Sequence, residues 1–139
     1  LFLVKAIFCV YKILNLKGNS GPYLQYTLVR CLSVLEKAKH LKFKKSSVFS
    51  PNHLETLICR QIAIFKSILD LTQEKNSPNL LTDYVFKLAS LYNLFYQKYP
   101  ILKAESKEEV FFRLKLTQTT SQILQIVFKI LGLDILNKM

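Results

Sequence analysis

Residues 77–100 read SPNLLTDYVFKLASLYNLFYQKYP. A Ser-Pro pair opens the stretch and a Tyr-Pro pair closes it, so both ends of a helix are punctuated. Proline suits the first helical turn, where its missing N–H costs nothing, and the residue before a proline avoids the helical region. Between the two, Leu81, Val85, Leu88, Leu91, Leu94 and Phe95 recur at helical spacing and form one apolar stripe.

The same pattern extends in both directions. Upstream, Ser50-Pro51 repeats the Ser-Pro start, with Ser50 as N-cap and Pro51 at the first helical position. The helix it predicts carries Leu54, Leu57, Ile58, Ile62, Phe65, Ile68 and Leu69. Further upstream, Pro22 opens a helix running to about Lys39, striped by Leu24, Leu28, Cys31, Leu32 and Leu35. Downstream, Ser106-Lys107-Glu108-Glu109 has the S-x-x-E form of a capping box. It leads a last long helix through Val110, Leu114, Leu116, Ile123, Ile126, Val127 and Ile130, which Gly132 should end from the position just beyond the helix. No run alternates with period two, and the twin Ser-Pro starts are shared punctuation, not a repeat. Four main helices with connections of modest length predict an all-α fold, an antiparallel helical bundle.

Composition narrows the function. At 139 residues the chain is one ordinary domain, and with half its residues hydrophobic and only three glycines it should fold. Twenty Lys and Arg stand against nine Asp and Glu, a formal charge of +11, which points to an anionic partner such as nucleic acid or a phospholipid surface. A surface that is simply lysine-rich is the competing explanation. Cys9, Cys31 and Cys59 are widely spaced with no CxxC, and His40 and His53 share no spacing with any cysteine pair. That pattern fits reduced thiols in a cytosolic core and argues against a metal site. The opening LFLVKAIFCVYKILNL is interrupted by Lys5 and Lys12, is shorter than the ~20 apolar residues of a membrane span, and ends without a cleavage site, so it reads as buried or docked structure. The chain starts without an initiator Met, and the expectation is a piece of a longer protein whose start packs against a preceding domain.

Catalytic patterns are missing. The sequence contains no GxGxxG, P-loop, HExxH or GxSxG, and the acidic group Glu105, Glu108 and Glu109 is accounted for by electrostatics at a helix start. The residues therefore describe a binding module with no catalytic residue and no cofactor of its own. Tyr23, Tyr26 and Arg30, at i, i+3 and i+7, share one helix face, and Tyr92 and Tyr96 stack at i, i+4 on the third helix. An exposed ring beside a cation suits an unstacked RNA base, the ring supplying stacking and the cation meeting phosphate or a base edge. Alternatively, the tyrosines edge the core and Arg30 pairs with Glu36 or solvent, and composition alone leans slightly that way.

Several separated stretches resemble a single family in the same order. GNSGPYLQYTLVR at 18–30 looks like GNTGPYLQYAHAR, the segment with which arginyl-tRNA synthetases leave their class I catalytic domain and enter the anticodon-binding bundle known as the DALR domain. Just upstream, FCVYKILNLKGN is similar to FDxDKxLxLxGN; YVFKLASLYNLFYQKYPILKA resembles YLxxLAxxFNxFYxxCPVLKA. The closing FFRLKLTQTTSQILQIVFKILGLDILNKM resembles xxRLxLxxATxxVLxxGLxLLGIxxxERM, down to the final methionine. The resemblance spans nearly the whole chain, and within the synthetases that share the bundle GPYLQY and the closing Met are particular to the arginyl family.

The resemblance implies a bundle of the class I synthetase anticodon-binding type over 18–139, with 1–17 as the tail of the preceding catalytic domain or the domain junction. It implies that the module grips the anticodon stem-loop of tRNA-Arg, holding the unstacked middle base with Tyr23, Tyr26, Arg30, Tyr96 and Met139. The parent, an arginine–tRNA ligase that uses ATP with magnesium, would be cytoplasmic, monomeric and free of membrane, and its own catalytic domain would be the second partner. The HIGH and KMSKS signatures of that domain do not occur in these residues. By charge alone, Lys37, Lys39, Lys42, Lys44 and Lys45 are candidate phosphate contacts, with a solvated linker as the equal alternative. Three departures stand out: AHAR is TLVR here, which puts Leu28 where the family has histidine; Cys9 and Tyr11 replace acids; and Lys138 replaces arginine. A different class of function, a helical protein-interaction scaffold without tRNA specificity, would instead tuck the tyrosines into the core, scatter the lysines and expose an apolar patch on residues 1 to 16.

Overall fold

The structure, a computed structural model, describes residues 21–41 and 49–135. Helices α1 (Gly21–Ala38), α2 (His53–Ala63), α3 (Phe65–Glu74), α4 (Pro78–Lys98) and α5 (Lys107–Leu131) form an all-α bundle, with no strand among the described residues. Three of the helix ends read from sequence are as expected. Ser77 precedes α4 with Pro78 in its first turn, and Tyr99 leaves the helix in an extended conformation (φ −125°, ψ 122°) ahead of Pro100. At the end of α5, Gly132 takes the left-handed conformation at φ 69°, and the Leu133 N–H bonds back to the Phe128 carbonyl at 2.8 Å.

Other ends differ. The N-cap of α2 is Asn52, not Ser50: its side chain accepts from the Glu55 N–H at 2.9 Å while the Glu55 carboxylate accepts from the Asn52 N–H at 2.8 Å. An Asx residue with Glu three positions on satisfies two orphan donors at once, which outweighs the Ser-Pro start two residues earlier. The single helix expected over this region is divided at Ile64 (φ −82°, ψ −2°), although helical hydrogen bonds enter and leave that residue. At α5, Ser106 does accept from the Glu109 N–H, but the Glu109 carboxylate bonds the Glu105 N–H, one residue short of the reciprocal bond expected.

The direction of packing follows from a few contacts. The Gln25 side chain near the start of α1 donates to the Asp134 carbonyl just past α5, whereas Leu35 and Ala38 near the end of α1 share a groove with Phe111 and Leu114 near the start of α5. These two helices are therefore antiparallel. Helix α4 lies antiparallel to α5 as well: its Tyr92 hydroxyl donates to Thr117 Oγ1 at 3.3 Å, whereas Pro100, just past its end, accepts from Arg113, nearer the start of α5; Tyr84 near the start of α4 donates to the Gln61 carbonyl of α2. The core collects Leu24, Leu28 and Cys31 from α1, Ile58 from α2, Leu81, Val85, Leu88 and Phe95 from α4, and Leu124, Val127 and Phe128 from α5. Leu94, Ile126 and Ile130, read as stripe residues, are exposed instead, because each lies at the edge of an apolar arc wider than the face its neighbours cover.

One charged group holds this core together. Arg113 of α5 is 5% exposed and donates from Nε to Glu55 Oε1 at 2.7 Å, from Nη1 to the Pro100 carbonyl at 2.8 Å, and from Nη2 to Glu109. Its guanidinium also lies 5.2 Å from the centre of the Tyr99 ring. Glu55, fully buried, thus caps α2 with one oxygen and binds Arg113 with the other. The pair locks α2, α5 and the turn after α4 into one arrangement.

Candidate functional site

The GPYLQY segment folds as the first turns of α1, with Gly21 and Leu24 buried and Tyr26 exposed. Helical spacing then brings Arg30 one turn beyond Tyr26, and α4 delivers Tyr96 across from it. The Arg30 guanidinium carbon sits 4.4 Å from the centre of the Tyr26 ring and 4.4 Å from the centre of the Tyr96 ring. A cation is thus clamped between two aromatic faces that come from different helices, α1 and α4. Tyr26 remains 47% exposed and Tyr96 39%, so both rings still offer surface to a ligand.

Hydrogen bonds fix the clamp. Arg30 Nη1 donates to Asn93 Oδ1 at 2.7 Å, and Nη2 donates to the Tyr26 hydroxyl. The Asn93 amide in turn donates to Thr27 Oγ1 at 2.8 Å, whose hydroxyl donates to the Tyr23 carbonyl at 2.8 Å. Asn93 and Thr27 are both buried, so this chain of polar groups is shielded from competing water and sets the plane of the guanidinium. Arg30 does not pair with Glu36, which instead meets Lys39 in an exposed ion pair.

The structure sorts the other residues singled out in the sequence. Tyr23 is half-buried against the core at the foot of the same network. Tyr92, expected to stack with Tyr96, is fully buried: burial raises its hydroxyl well above the ordinary tyrosine range, and neighbouring Cys31 adds to the shift. It is a core residue, as is Leu28 where the family has histidine. Lys37, in the last turn of α1, and Lys39, just beyond the helix, are exposed. Residues 1 to 17, Lys42, Lys44, Lys45 and Met139 lie outside the described residues. Asn93 and Thr27 were missed from sequence, since a polar residue in a helix gives no sign of which distant side chain it meets.

The sequence profile of the DALR anticodon binding domain family matches residues 24–139. The chain belongs to that family. Among relatives of the DALR chain, an arginine–tRNA ligase of Blochmanniella floridana is 37% identical over 126 residues, covering 88% of this chain and 22% of that protein. One of Pyrobaculum islandicum is 35% identical over 130 residues, covering 91% of this chain and 20% of that protein. The chain thus spans about a fifth of the length of these curated relatives. Of solved structures, the arginyl-tRNA synthetase of Thermus thermophilus superposes with a TM-score of 0.80 at 25% identity, over 91% of this chain and 22% of that one. A putative arginyl-tRNA synthetase from Campylobacter jejuni gives 0.75 at 20% identity and supports the fold alone. Among the described residues, no helix of this DALR domain is long and apolar enough to cross a membrane.

Proposed function

We propose that this chain is the anticodon-binding module of an arginine–tRNA ligase and that the Arg30 clamp reads the middle base of the tRNA-Arg anticodon. The observation that carries the reading is the guanidinium held between two exposed tyrosines, in a chain whose family is defined by anticodon binding. The inner faces of Tyr26 and Tyr96 are occupied by Arg30, so an unstacked base would lie on the outer face of one ring. There it gains stacking worth ~1–3 kcal/mol while the cation behind the ring strengthens the attraction to phosphate. Because Asn93 and the Tyr26 hydroxyl fix the guanidinium, its remaining N–H groups point in set directions, and a base edge is accepted or rejected by whether its acceptors meet them. Tyr23 and Met139 are assigned to the same pocket by the family resemblance.

The parent would activate arginine with ATP and magnesium and esterify the tRNA end through a catalytic domain whose HIGH and KMSKS signatures are not in this sequence. This chain by itself is expected to charge no tRNA. The test is a titration with two tRNA-Arg transcripts, one native and one with the middle anticodon base changed, at two salt concentrations, repeated with Tyr26→Ala. Preference for the native transcript, reduced by ~1–3 kcal/mol in the variant, is the expected result. Equal affinity for both transcripts would overturn the reading.

A further inference from the structure

Tyr96 belongs to two surfaces. It is one wall of the Arg30 clamp, and it also lines a groove of about 300 Å³ together with Val34, Lys37, Tyr99, Ile101 and Lys103. That volume is at the lower end of the ~300–1,000 Å³ typical of small-ligand sites. Lys37 and Lys103 are exposed, and among the described residues no carboxylate lines the groove. Its floor is set firmly: Ile101 is buried, the Pro100 carbonyl accepts from Arg113, and the Tyr99 ring lies against the Arg113 guanidinium. Two tyrosines and two cations around a fixed connection reproduce, on a second surface, the residue types that stack a base and neutralise its phosphate.

We propose that this groove is a second nucleotide subsite, which takes the base adjoining the one at the Arg30 clamp onto Tyr99, beside Tyr96, and holds the phosphates on either side of that nucleotide with Lys37 and Lys103. The inference rests on the reading of the Arg30 clamp as an RNA site. Covalent continuity of the strand supports it: a nucleotide on Tyr96 brings its neighbour to the surfaces bordering that ring, and this groove borders it with positive charge. The partner is single-stranded RNA in a loop. An acidic peptide would use the two lysines but leave the stacking surface of Tyr96 unused.

The experiment uses the chain and an RNA stem-loop with the sequence of the tRNA-Arg anticodon arm, in native form, with the middle base changed, and with each nucleotide flanking the middle base made abasic in turn. The double variant Lys37→Gln/Lys103→Gln is compared with Arg30→Met and with Lys87→Gln, an exposed lysine of α4 that does not line the groove. For the wild type, one flanking abasic probe should bind roughly 5- to 150-fold more weakly than the native loop. In the double variant the log–log salt dependence should flatten by about 1.4, from the loss of two single-strand phosphate contacts, with middle-base preference retained. Lys87→Gln should leave the slope unchanged. If Arg30→Met removes the middle-base preference while the double variant and every flanking abasic probe behave like the wild type, the groove proposal is overturned and the clamp reading survives. If Arg30→Met changes nothing, the clamp reading falls and the groove proposal with it.

Discussion

Replacing Arg113 by methionine tests how the site is held. The substitution keeps most of the buried volume but leaves the Glu55 carboxylate, fully buried, with only the Asn52 N–H as partner among the described residues. Breaking a buried pair from one side costs about 3–5 kcal/mol, because the stranded charge keeps its desolvation penalty. For a domain of this size that corresponds to a fall in Tm of roughly 10–20 °C, a large share of the ~5–15 kcal/mol available to a folded domain. Thermal unfolding followed by circular dichroism measures it, and adding Glu55→Gln to Arg113→Met should recover part of the loss, since the orphaned charge is then gone. A fall worth less than ~1 kcal/mol, the value for a surface ion pair, would refute the claim that this pair locks α2, α5 and the Tyr99–Pro100 turn together. The consequence reaches the binding surface, because the same guanidinium pins the Pro100 carbonyl beside Tyr96 and Lys103.

Further outcomes are specific to single contacts. Asn93→Ala removes the acceptor of Arg30 Nη1, and should cost about 1 kcal/mol of stability while lowering middle-base preference more than overall RNA affinity; chemical denaturation and the transcript titration separate the two. Asn52→Ala removes the side-chain arm of the α2 capping box, leaving the backbone N–H of residue 52 to donate to Glu55, and should cost ~0.5–2 kcal/mol in the same denaturation assay. Burial pushes the Cys31 thiol from 9.0 up to about 12, so the folded state holds a proton that the unfolded chain releases first. The stability contribution is complete below pH 9 and declines as pH rises toward 12, by about 1.4 kcal/mol per pH unit for this group, which a pH series of melts in a Cys31→Ala comparison would read.

Much of the scaffold is visible in the sequence because helix ends and faces are local. Pro78, Tyr99 and Gly132 act through their own backbone, and the buried runs Leu24–Leu28–Cys31 and Leu81–Val85–Leu88 follow from spacing alone. Periodicity overextends at Leu94, Ile126 and Ile130, since it marks apolar positions but not how wide a neighbour is. The face of Tyr26 and Arg30 is legible from spacing, and the resemblance adds Tyr96 to the same pocket, whereas the guanidinium held between the two rings is not legible: the choice of Asn93 over Glu36 as the partner of Arg30 is a tertiary contact 63 residues away in sequence. Glu55 likewise reads locally as an ordinary apolar-helix acid, and only the arrival of Arg113 from 58 residues downstream explains its burial.

The most direct test of the central claim places a fluorescent purine at the middle anticodon position of the tRNA-Arg stem-loop and follows its emission as the chain is added. Stacking on Tyr26 or Tyr96 predicts quenching that saturates with binding and is lost in the Tyr26→Leu/Tyr96→Leu double variant. Emission that stays unchanged while binding is complete, or quenching that persists in the double variant, would contradict the assignment of the Arg30 clamp as the base-reading site.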